Sequence, residues 1–380
     1  MKLYEYLDVE KLGQHIRDGI VEVRNHNTLP LSILCYSKKA NFDQVWDDVT
    51  CRTRGLIVTG DKVASESEII ARPFEKFFNL NHAGRPETDL LTLLEGQSYP
   101  PVFSEKLDGS MGTFWKYAGQ CGIATKGSFH SEQAEWATKW LSEHGPRGAW
   151  PVGFTPVFEI IAQSVQHHVV HYLPHEDNRL VLIGLANNET GAEMEPELMA
   201  TWAKINGIDI VDTWRDLSIF EAMQDRPDKE GYIATWYRNG TVPFRVKIKH
   251  ETFLKLQKIA HHTTPKTIFQ ALRNGDEAMI QEALSFGSPY LQDRVKEWVK
   301  VFNDEHERIL KEARELFKNA LECTTDRREF AQFVINFNKT LAPCAFNLLD
   351  EKPMRLNDTA WDLAEPIVKT IKFEEVEEEG

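Results

Sequence analysis

The stretch Ser104-Glu105-Lys106-Leu107-Asp108-Gly109-Ser110 decides the fold expected for this chain of 380 residues. It follows the apolar Pro101-Val102-Phe103, so Lys106 is expected at the end of a buried strand. A lysine that is partly removed from water loses its proton more easily and becomes a nucleophile. Asp108 can orient that amine or a metal ion, and Gly109 lets the backbone approach a ligand closely. Taken alone, the segment is interpreted more simply as an exposed turn with a charged rim.

Six further segments on both sides of this stretch change that interpretation. Two precede it, at residues 51–58 (CRTRGLIV) and 71–80 (ARPFEKFFNL), and four follow it, at 124–128 (ATKGS), 157–162 (VFEIIA), 229–234 (KEGYIA) and 244–249 (FRVKIK). Their order and spacing resemble the nucleotidyltransferase motifs of the ATP-dependent RNA ligases with which T-even bacteriophages repair broken tRNA. The resemblance runs from about Cys51 to Lys249. Segment 71–80 is far more specific to that group than K-x-D-G, which capping enzymes and DNA ligases share.

The resemblance implies a chemistry and a set of site residues. ATP is the expected cofactor, its AMP becomes covalently attached to Lys106, and Mg²⁺, or Mn²⁺ in its place, assists. Catalytic roles are implied for Lys106, Asp108, Lys247 and Lys249. Nucleotide contacts are implied for Arg54, Lys76, Lys106, Gly109, Lys126, Glu159, Glu230, Lys247 and Lys249. Metal binding is implied for Glu230, Asp108 and Glu159.

Local patterns support some of these roles and leave alternatives for others. Glu159 lies within an apolar run, where a carboxylate is costly unless it faces a cleft with partners. Lys247 and Lys249 alternate with apolar residues, so both project from one face of a strand. A solvated strand face is the competing interpretation for these two lysines, and a structural salt bridge is the competing one for Arg54 and Lys76.

The charge distribution qualifies the acidic composition of the chain. The formal net charge is −14, which disfavours binding to bulk nucleic acid. From Asp225 to Lys258, however, the sequence has eight Lys or Arg residues and only four acidic ones, whereas residues 374–379 form an acidic run. The sequence therefore predicts a basic cleft on an acidic body.

The order of patterns predicts an α+β fold of two domains. Short β-rich runs such as Arg54–Thr59, Val102–Lys106 and Gly231–Trp236, with a helix at Ser131–His144, predict antiparallel sheets in a nucleotidyltransferase domain over residues 1–258. Apolar residues at three- and four-residue steps predict an all-helical domain over 259–373, and 374–380 is expected to be an acidic tail. DNA ligases and capping enzymes place a β-barrel OB domain after the core, so the helical pattern favours an RNA ligase.

The resemblance also implies partners and a setting. The expected reaction joins 5′-phosphate and 3′-hydroxyl ends of RNA, single-stranded or in a nicked loop such as that of a tRNA, after a separate kinase or phosphatase has healed the ends. A monomer is expected. Five widely spaced cysteines, no apolar run of membrane-spanning length and no signal peptide predict a cytoplasmic protein, in the host cytoplasm if it is phage-encoded. The rival function is an RNA-binding protein on the same scaffold without catalysis.

One histidine cluster is not assigned to the site. His167, His168 and His171 have metal-ligand spacing only if the segment is helical. The valines beside them favour a strand or turn, so polar surface is the preferred interpretation.

Overall fold

The computed structural model describes residues 1–96, 99–162, 164–165, 169–170, 172–173, 177–237, 240–286 and 289–371. The chain divides into two compact units, Met1–Leu254 and a second unit that begins at Lys255. The acidic tail predicted at 374–380 and the histidines at 167, 168 and 171 lie outside the described residues.

The first unit combines short helices with three sheets. Its helices are α1 (Leu3–Tyr6), α2 (Val9–Arg17), α3 (Lys38–Phe42), α4 (Asp48–Arg52), α5 (Leu90–Gly96), α6 (Glu132–His144), α7 (Pro196–Asn206) and α8 (Ile219–Ala222). Its strands are β1 (Val21–Asn25), β2 (Leu31–Tyr36), β3 (Arg54–Thr59), β4 (Ile69–Ala71), β5 (Phe78–Asn79), β6 (Val102–Lys106), β7 (Ser110–Tyr117), β8 (Gln120–Thr125), β9 (Phe154–Ile161), β10 (Arg179–Asn187), β11 (Thr213–Trp214), β12 (Gly231–Trp236) and β13 (Phe244–Lys249).

The strands pair into sheets whose neighbours are mostly antiparallel. The strand orders are β1-β2-β3-β4 in the first sheet, β10-β9-β7-β8 in the second and β11-β6-β12-β13-β5 in the third. The edge strand β5 runs parallel to β13, and the other described pairs between named strands are antiparallel. The α+β class and the antiparallel sheets expected from the sequence are confirmed.

Apolar side chains explain how these layers pack. Leu12 of α2 and Leu34 of β2 share a core on one face of the first sheet, while Ile57 of β3 packs with Trp115 of β7 between the first and second sheets. Helices α6 and α7 cover the second sheet, and α5 and α8 cover one face of the third, where Phe103 and Tyr232 are fully buried. The opposite face of the third sheet, with its lysines, is left to form the wall of a cleft.

The second unit is helical throughout its described part. The helix α9 (Glu251–His262) crosses the predicted boundary at Lys258, and the extents of the two domains stay a prediction. The helices that follow are α10 (Pro265–Asn274), α11 (Glu277–Phe286), α12 (Pro289–Cys323), α13 (Arg327–Phe337), α14 (Ala342–Leu349) and α15 (Pro353–Ala364).

Sequence signals account for the way this unit forms. The hydroxyl of Thr264 accepts from the Thr267 backbone N–H and Pro265 follows it, which is a favoured start for α10. The 35-residue α12 buries Trp298 and Phe302 and packs against α10, α11, α13, α14 and α15. Its apolar face therefore organises the core of the unit.

Two expectations about the whole chain can be compared with the structure. The five cysteines, all of them within the described residues, form no disulfide, and Cys35 and Cys344 are buried. Among the helices that the structure describes, none combines the length and the apolar character that crossing a bilayer requires.

Candidate active site

The third sheet aligns the central lysines by register. Lys106 at the end of β6 and Lys249 at the end of β13 both lie opposite Gly231, the first residue of β12. Gly231 has a φ of +146°, and a Cβ there would stand 1.9 Å from the Ile248 carbonyl oxygen. Only glycine tolerates that approach, so the row Lys106–Gly231–Lys249 depends on it.

Glu230 occupies the position between the two lysines. Its Oε1 lies 2.8 Å from Lys106 Nζ and 3.2 Å from Lys249 Nζ. The side chains of Glu230, Lys106 and Lys249 are 4%, 11% and 5% exposed, so this cluster is almost sealed from water. The two amines offset the cost of burying the carboxylate.

Asp108 is held by the backbone of the loop after β9. Its Oδ2 accepts hydrogen bonds from the N–H groups of Val169 at 2.5 Å and Val170 at 2.8 Å. The Asp108 N–H donates to the Tyr172 hydroxyl at 2.7 Å. Burial, and then the nearby charge of Glu230, raise the pKa of Asp108 to about 7 against the opposing effect of the two N–H groups and Lys106. Burial raises the pKa of Tyr172 as well.

Gly109 allows the turn after Lys106 to lie directly on β9. A Cβ at Gly109 would stand 2.5 Å from the Ile160 carbonyl oxygen and 2.8 Å from Glu159 Cγ. The glycine was expected to let the backbone approach a nucleotide. The close approach that the structure shows is to β9, and it brings the turn against Glu159, while the approach to a nucleotide stays a prediction.

A cleft of about 730 Å³, open to solvent, lies beside this cluster within the first unit. Four of the predicted site residues line it, namely Arg54, Lys106, Glu159 and Lys247. Lys247 is 3% exposed and lies opposite Ile233 of β12, two residues further along the sheet than the row of Lys106. The cleft thus extends away from Lys106 along the floor formed by β6, β12 and β13.

Aromatic rings hold the predicted cations at this cleft. The ring of Phe77 lies 5.5 Å from the Arg54 guanidinium and 5.3 Å from Lys247 Nζ. Arg54 also donates to the Met111 sulfur at 2.8 Å. A ring face attracts a cation electrostatically, so Phe77 helps to position both groups at the cleft.

Lys76 and Lys126 share a second aromatic cluster. Both Nζ atoms lie 5.2 Å from the centre of the Tyr36 ring, and Lys76 Nζ is 4.3 Å from the Trp46 ring. A Cβ at Gly55, next to Arg54, would stand 3.3 Å from the Lys126 Cα, so these backbones are adjacent. The structure therefore brings the predicted residues into two groups, one around Glu230 and one of cations on rings.

The predicted metal ligands do not form a ready-made cage. Within the described ranges, no group of three or more His, Cys, Asp or Glu side chains is arranged to hold a metal ion. Glu230 contacts two lysines, Asp108 contacts the loop after β9, and Glu159 lies against Gly109.

Several residues of the cleft were not identified from the sequence. Arg245 is buried at the cleft wall, where it makes a bidentate ion pair with Glu193 and lies 4.1 Å from the Phe74 ring. Burial opposes the charge of Arg245, yet its pKa is raised because Glu193 outweighs that effect. Lys229 pairs with Glu105 at 2.9 Å. These pairs neutralise part of the basic stretch from which a positive cleft was predicted.

Comparison with known proteins supplies an independent observation. The chain is 26% identical over 267 residues to a Thermovibrio ammonificans protein whose name provisionally describes an RNA ligase, and the match spans 65% of each chain. Two solved structures are similar. The first is an archaeal ATP-dependent RNA ligase, with 13% identity and a TM-score of 0.45, and the match covers 77% of this chain and 75% of that one. The second is a Naegleria gruberi RNA ligase with pyrophosphate, with 13% identity and a TM-score of 0.36, and the match covers 66% of this chain and 83% of that one. These TM-scores are too low to support an inference.

The family itself is established by a match to a family model described as RNA ligase. That match covers residues 52–253, which is more than half of the chain and contains every site residue named above from Arg54 to Lys249. The chain belongs to the RNA ligase family.

Proposed function

We propose that this protein is an ATP-dependent RNA ligase that joins a 5′-phosphate end to a 3′-hydroxyl end through an AMP-linked lysine. The observation that carries the proposal is the buried cluster of Lys106, Glu230 and Lys249 at one end of the cleft. An ordinary surface lysine is exposed to solvent, whereas Lys106 is buried at a strand end against a carboxylate and beside a second amine.

In the first step, Lys106 Nζ attacks the α-phosphorus of ATP. A phosphorus–nitrogen bond forms, the bond to the bridging oxygen breaks, and pyrophosphate leaves with the electron pair. The ammonium has to lose a proton first, and Glu230 Oε1 at 2.8 Å is placed to receive it. Lys247 and Lys249 stabilise the negative charge that builds on the phosphate oxygens.

The cations on rings suit the departing group. Arg54, which lines the cleft, and Lys76 and Lys126 lie over aromatic rings, and a pyrophosphate carries several negative charges that cations attract. These three residues hold the leaving phosphates in line with Lys106.

The second and third steps consume the lysyl-AMP. The 5′-phosphate of RNA attacks the AMP phosphorus and frees Lys106, which then recovers a proton. The 3′-hydroxyl next loses its proton to solvent and attacks the activated 5′-phosphate, which forms the new phosphodiester and releases AMP. Ends that lack these groups require a separate kinase or phosphatase.

The donor set fits a divalent cation. Glu230, Glu159 and Asp108 offer only oxygen atoms, and Mg²⁺ is commonly bound by one or two carboxylates with substrate phosphates and water. These three residues would hold Mg²⁺, or Mn²⁺, which neutralises phosphate charge when bound. The protein is further expected to act as a monomer in the cytoplasm, on single-stranded or nicked-loop ends such as those of a tRNA.

Sealing assays test the proposal against a DNA ligase. A 5′-phosphorylated RNA oligonucleotide and a nicked DNA duplex compete at fixed salt in the presence of ATP and Mg²⁺. Preferential sealing of RNA is expected, because single strands can bend into a cleft whereas the acidic body repels a long duplex. Faster sealing of the DNA would overturn the substrate, and no sealing of either would overturn the activity.

A further inference from the structure

A second ion pair lies directly behind the pair of Lys106 and Glu230. Its members, Glu105 and Lys229, precede those two residues in the chain and meet through Oε2 and Nζ at 2.9 Å. Successive side chains of a strand point to opposite faces, so this rear pair lies on the face of the third sheet away from the cleft. The two ion pairs therefore join the end of β6 to the start of β12 from both faces of the sheet.

Aromatic rings place the rear pair at the packed face of the sheet. Glu105 lies opposite Tyr232, which is buried in the core that α5 and α8 cover. Lys229 Nζ lies 5.5 Å from the centre of the Trp214 ring, and that ring lies 5.6 Å from the ring of Tyr232. The side chains of Glu105 and Lys229 are 19% and 20% exposed, so solvent and salt screen their attraction only in part.

Glu230 depends on contacts outside the strand ladder because it precedes β12. The strand begins at Gly231, and the Glu230 carbonyl oxygen accepts from the His250 N–H at 2.9 Å. The His250 ring is fully buried, and its two nitrogens lie 3.2 Å from the carbonyl oxygens of Ala222 and Arg226. In either tautomer one of these nitrogens donates, so His250 holds the chain that leads to Glu230.

Lys229 is the last anchor of this chain before Glu230. Its N–H donates to the Arg226 carbonyl oxygen at 3.2 Å, and its side chain reaches Glu105 on the neighbouring strand. Lys106 directly follows Glu105, just as Glu230 directly follows Lys229. A shift between the members of the rear pair would therefore change the distance from Lys106 Nζ to Glu230.

We propose that the rear pair positions Lys106 against Glu230 for the attachment of AMP. The inference rests on the proposed function and adds two positioning residues to it. The rear pair acts through the pair on the cleft face, because it fixes the end of β6 against the segment that precedes β12. A misplacement of reacting groups by about 1 Å can lower a rate by about a hundredfold. The rear pair is therefore expected to affect the rate of labelling rather than the binding of ATP.

Lys229→Met tests this role with little change in packing. The variant removes the ammonium and keeps an unbranched chain beside Trp214. Its maximal rate of AMP labelling should fall about tenfold, because Glu230 can then shift relative to Lys106. The ATP concentration at half the maximal rate should stay within about threefold of the native value, because Arg54 and Lys247 still line the cleft.

The reversed pair provides a rescue. Glu105→Lys and Lys229→Glu each place like charges side by side and should label more slowly than Lys229→Met. The double variant restores the attraction and should label within about threefold of the native rate. The control is Arg215→Glu, which breaks an exposed ion pair with Glu197 in the same unit and should label at the native rate.

Rates are compared per folded protein, with folding checked by circular dichroism and thermal unfolding. Glu105→Gln keeps the shape of the native side chain and an oxygen that can accept from Lys229, and its maximal rate should fall about threefold. The proposal is overturned if either folded Lys229→Met or folded Glu105→Gln labels at the native maximal rate, or if the folded double variant is as slow as the single reversals. Native protein that does not label itself would instead overturn the proposed function, so the two failures are distinguishable.

Discussion

Asp108→Asn should change the pH dependence of stability in a direction that the structure fixes. The pKa of Asp108 rises from its ordinary value of 3.8 to about 7 because burial and Glu230 disfavour the charged carboxylate. The folded protein therefore keeps this proton between about pH 4 and 7, where the unfolded chain releases it. The contribution of Asp108 to stability is full below pH 4, declines as the pH rises and is lost above about pH 7.

The size of the effect follows from the same values. A pKa change from 3.8 to about 7 corresponds to about 4 kcal/mol between the two limits of pH. An asparagine oxygen can still accept from Val169 and Val170, so the variant keeps these bonds without a charge. Asp108→Asn should therefore gain stability relative to the native protein by up to about 4 kcal/mol from pH 4 to pH 8.

Thermal unfolding at pH 4, 5, 6, 7 and 8 measures this directly. The difference in Tm between Asp108→Asn and the native protein should grow in favour of the variant and level off above about pH 7. The control is Asp212→Asn, which makes the same substitution at an exposed position of the same unit and shows what the substitution alone does to the Tm. A Tm difference that stays constant across this range would refute the reasoning, because Asp108 would then titrate alike in both states.

Three further outcomes are expected. Gly109→Ala should lower AMP labelling at least tenfold because its Cβ would clash with a carbonyl of β9. The control Gly127→Ala, whose Cβ would have its nearest neighbour 3.8 Å away, should label normally, and equal labelling of the two variants would refute the prediction. Glu193→Gln should destabilise the protein by about 3–5 kcal/mol in urea unfolding, because it leaves Arg245 buried without its counter-ion, and an unchanged midpoint would contradict that role. A chain ending at His262 should retain labelling but seal folded RNA less well, and a folded truncation that cannot label would show that the helical unit completes the site.

Local patterns predicted the elements that carry the central lysines. The strand Val102–Lys106 has the predicted bounds because an apolar run ends there at a charged residue and a turn. The alternation around Lys247 likewise predicted a strand that carries Lys247 and Lys249, and the structure has this strand at Phe244–Lys249. Such signals lie within a few residues of one another, so one sequence is enough to detect them.

Contacts between distant residues could not be predicted in this way. Glu193 lies 52 positions from Arg245, and no local pattern marks it as the partner of a buried cation. The rings of Tyr36, Trp46 and Phe78 likewise contact one another, and only the folding that brings β2, the segment before α4 and β5 together places them side by side. Sequence reasoning identified the charged groups of the site, whereas the packing that positions them required the structure.

The site also shows that a sequence motif can imply the role of a residue without predicting which side chains that residue contacts. Glu230 was expected as a metal ligand, and in the structure its carboxylate contacts Lys106 and Lys249. This placement follows from the register of three strands, which depends on Gly231. Neither the register nor the pairing order is encoded in a short motif.

The attachment of AMP to Lys106 is the central claim and can be measured directly. The protein is incubated with Mg²⁺ and ATP labelled at the α-phosphate, denatured and separated by electrophoresis, and the labelled peptide is mapped by mass spectrometry. The native protein and Lys116→Ala, which removes an exposed lysine of β7, should carry the label on the peptide that contains Lys106, and Lys106→Ala should carry none. Label that persists on folded Lys106→Ala, or that maps to another residue of the native protein, would contradict the account.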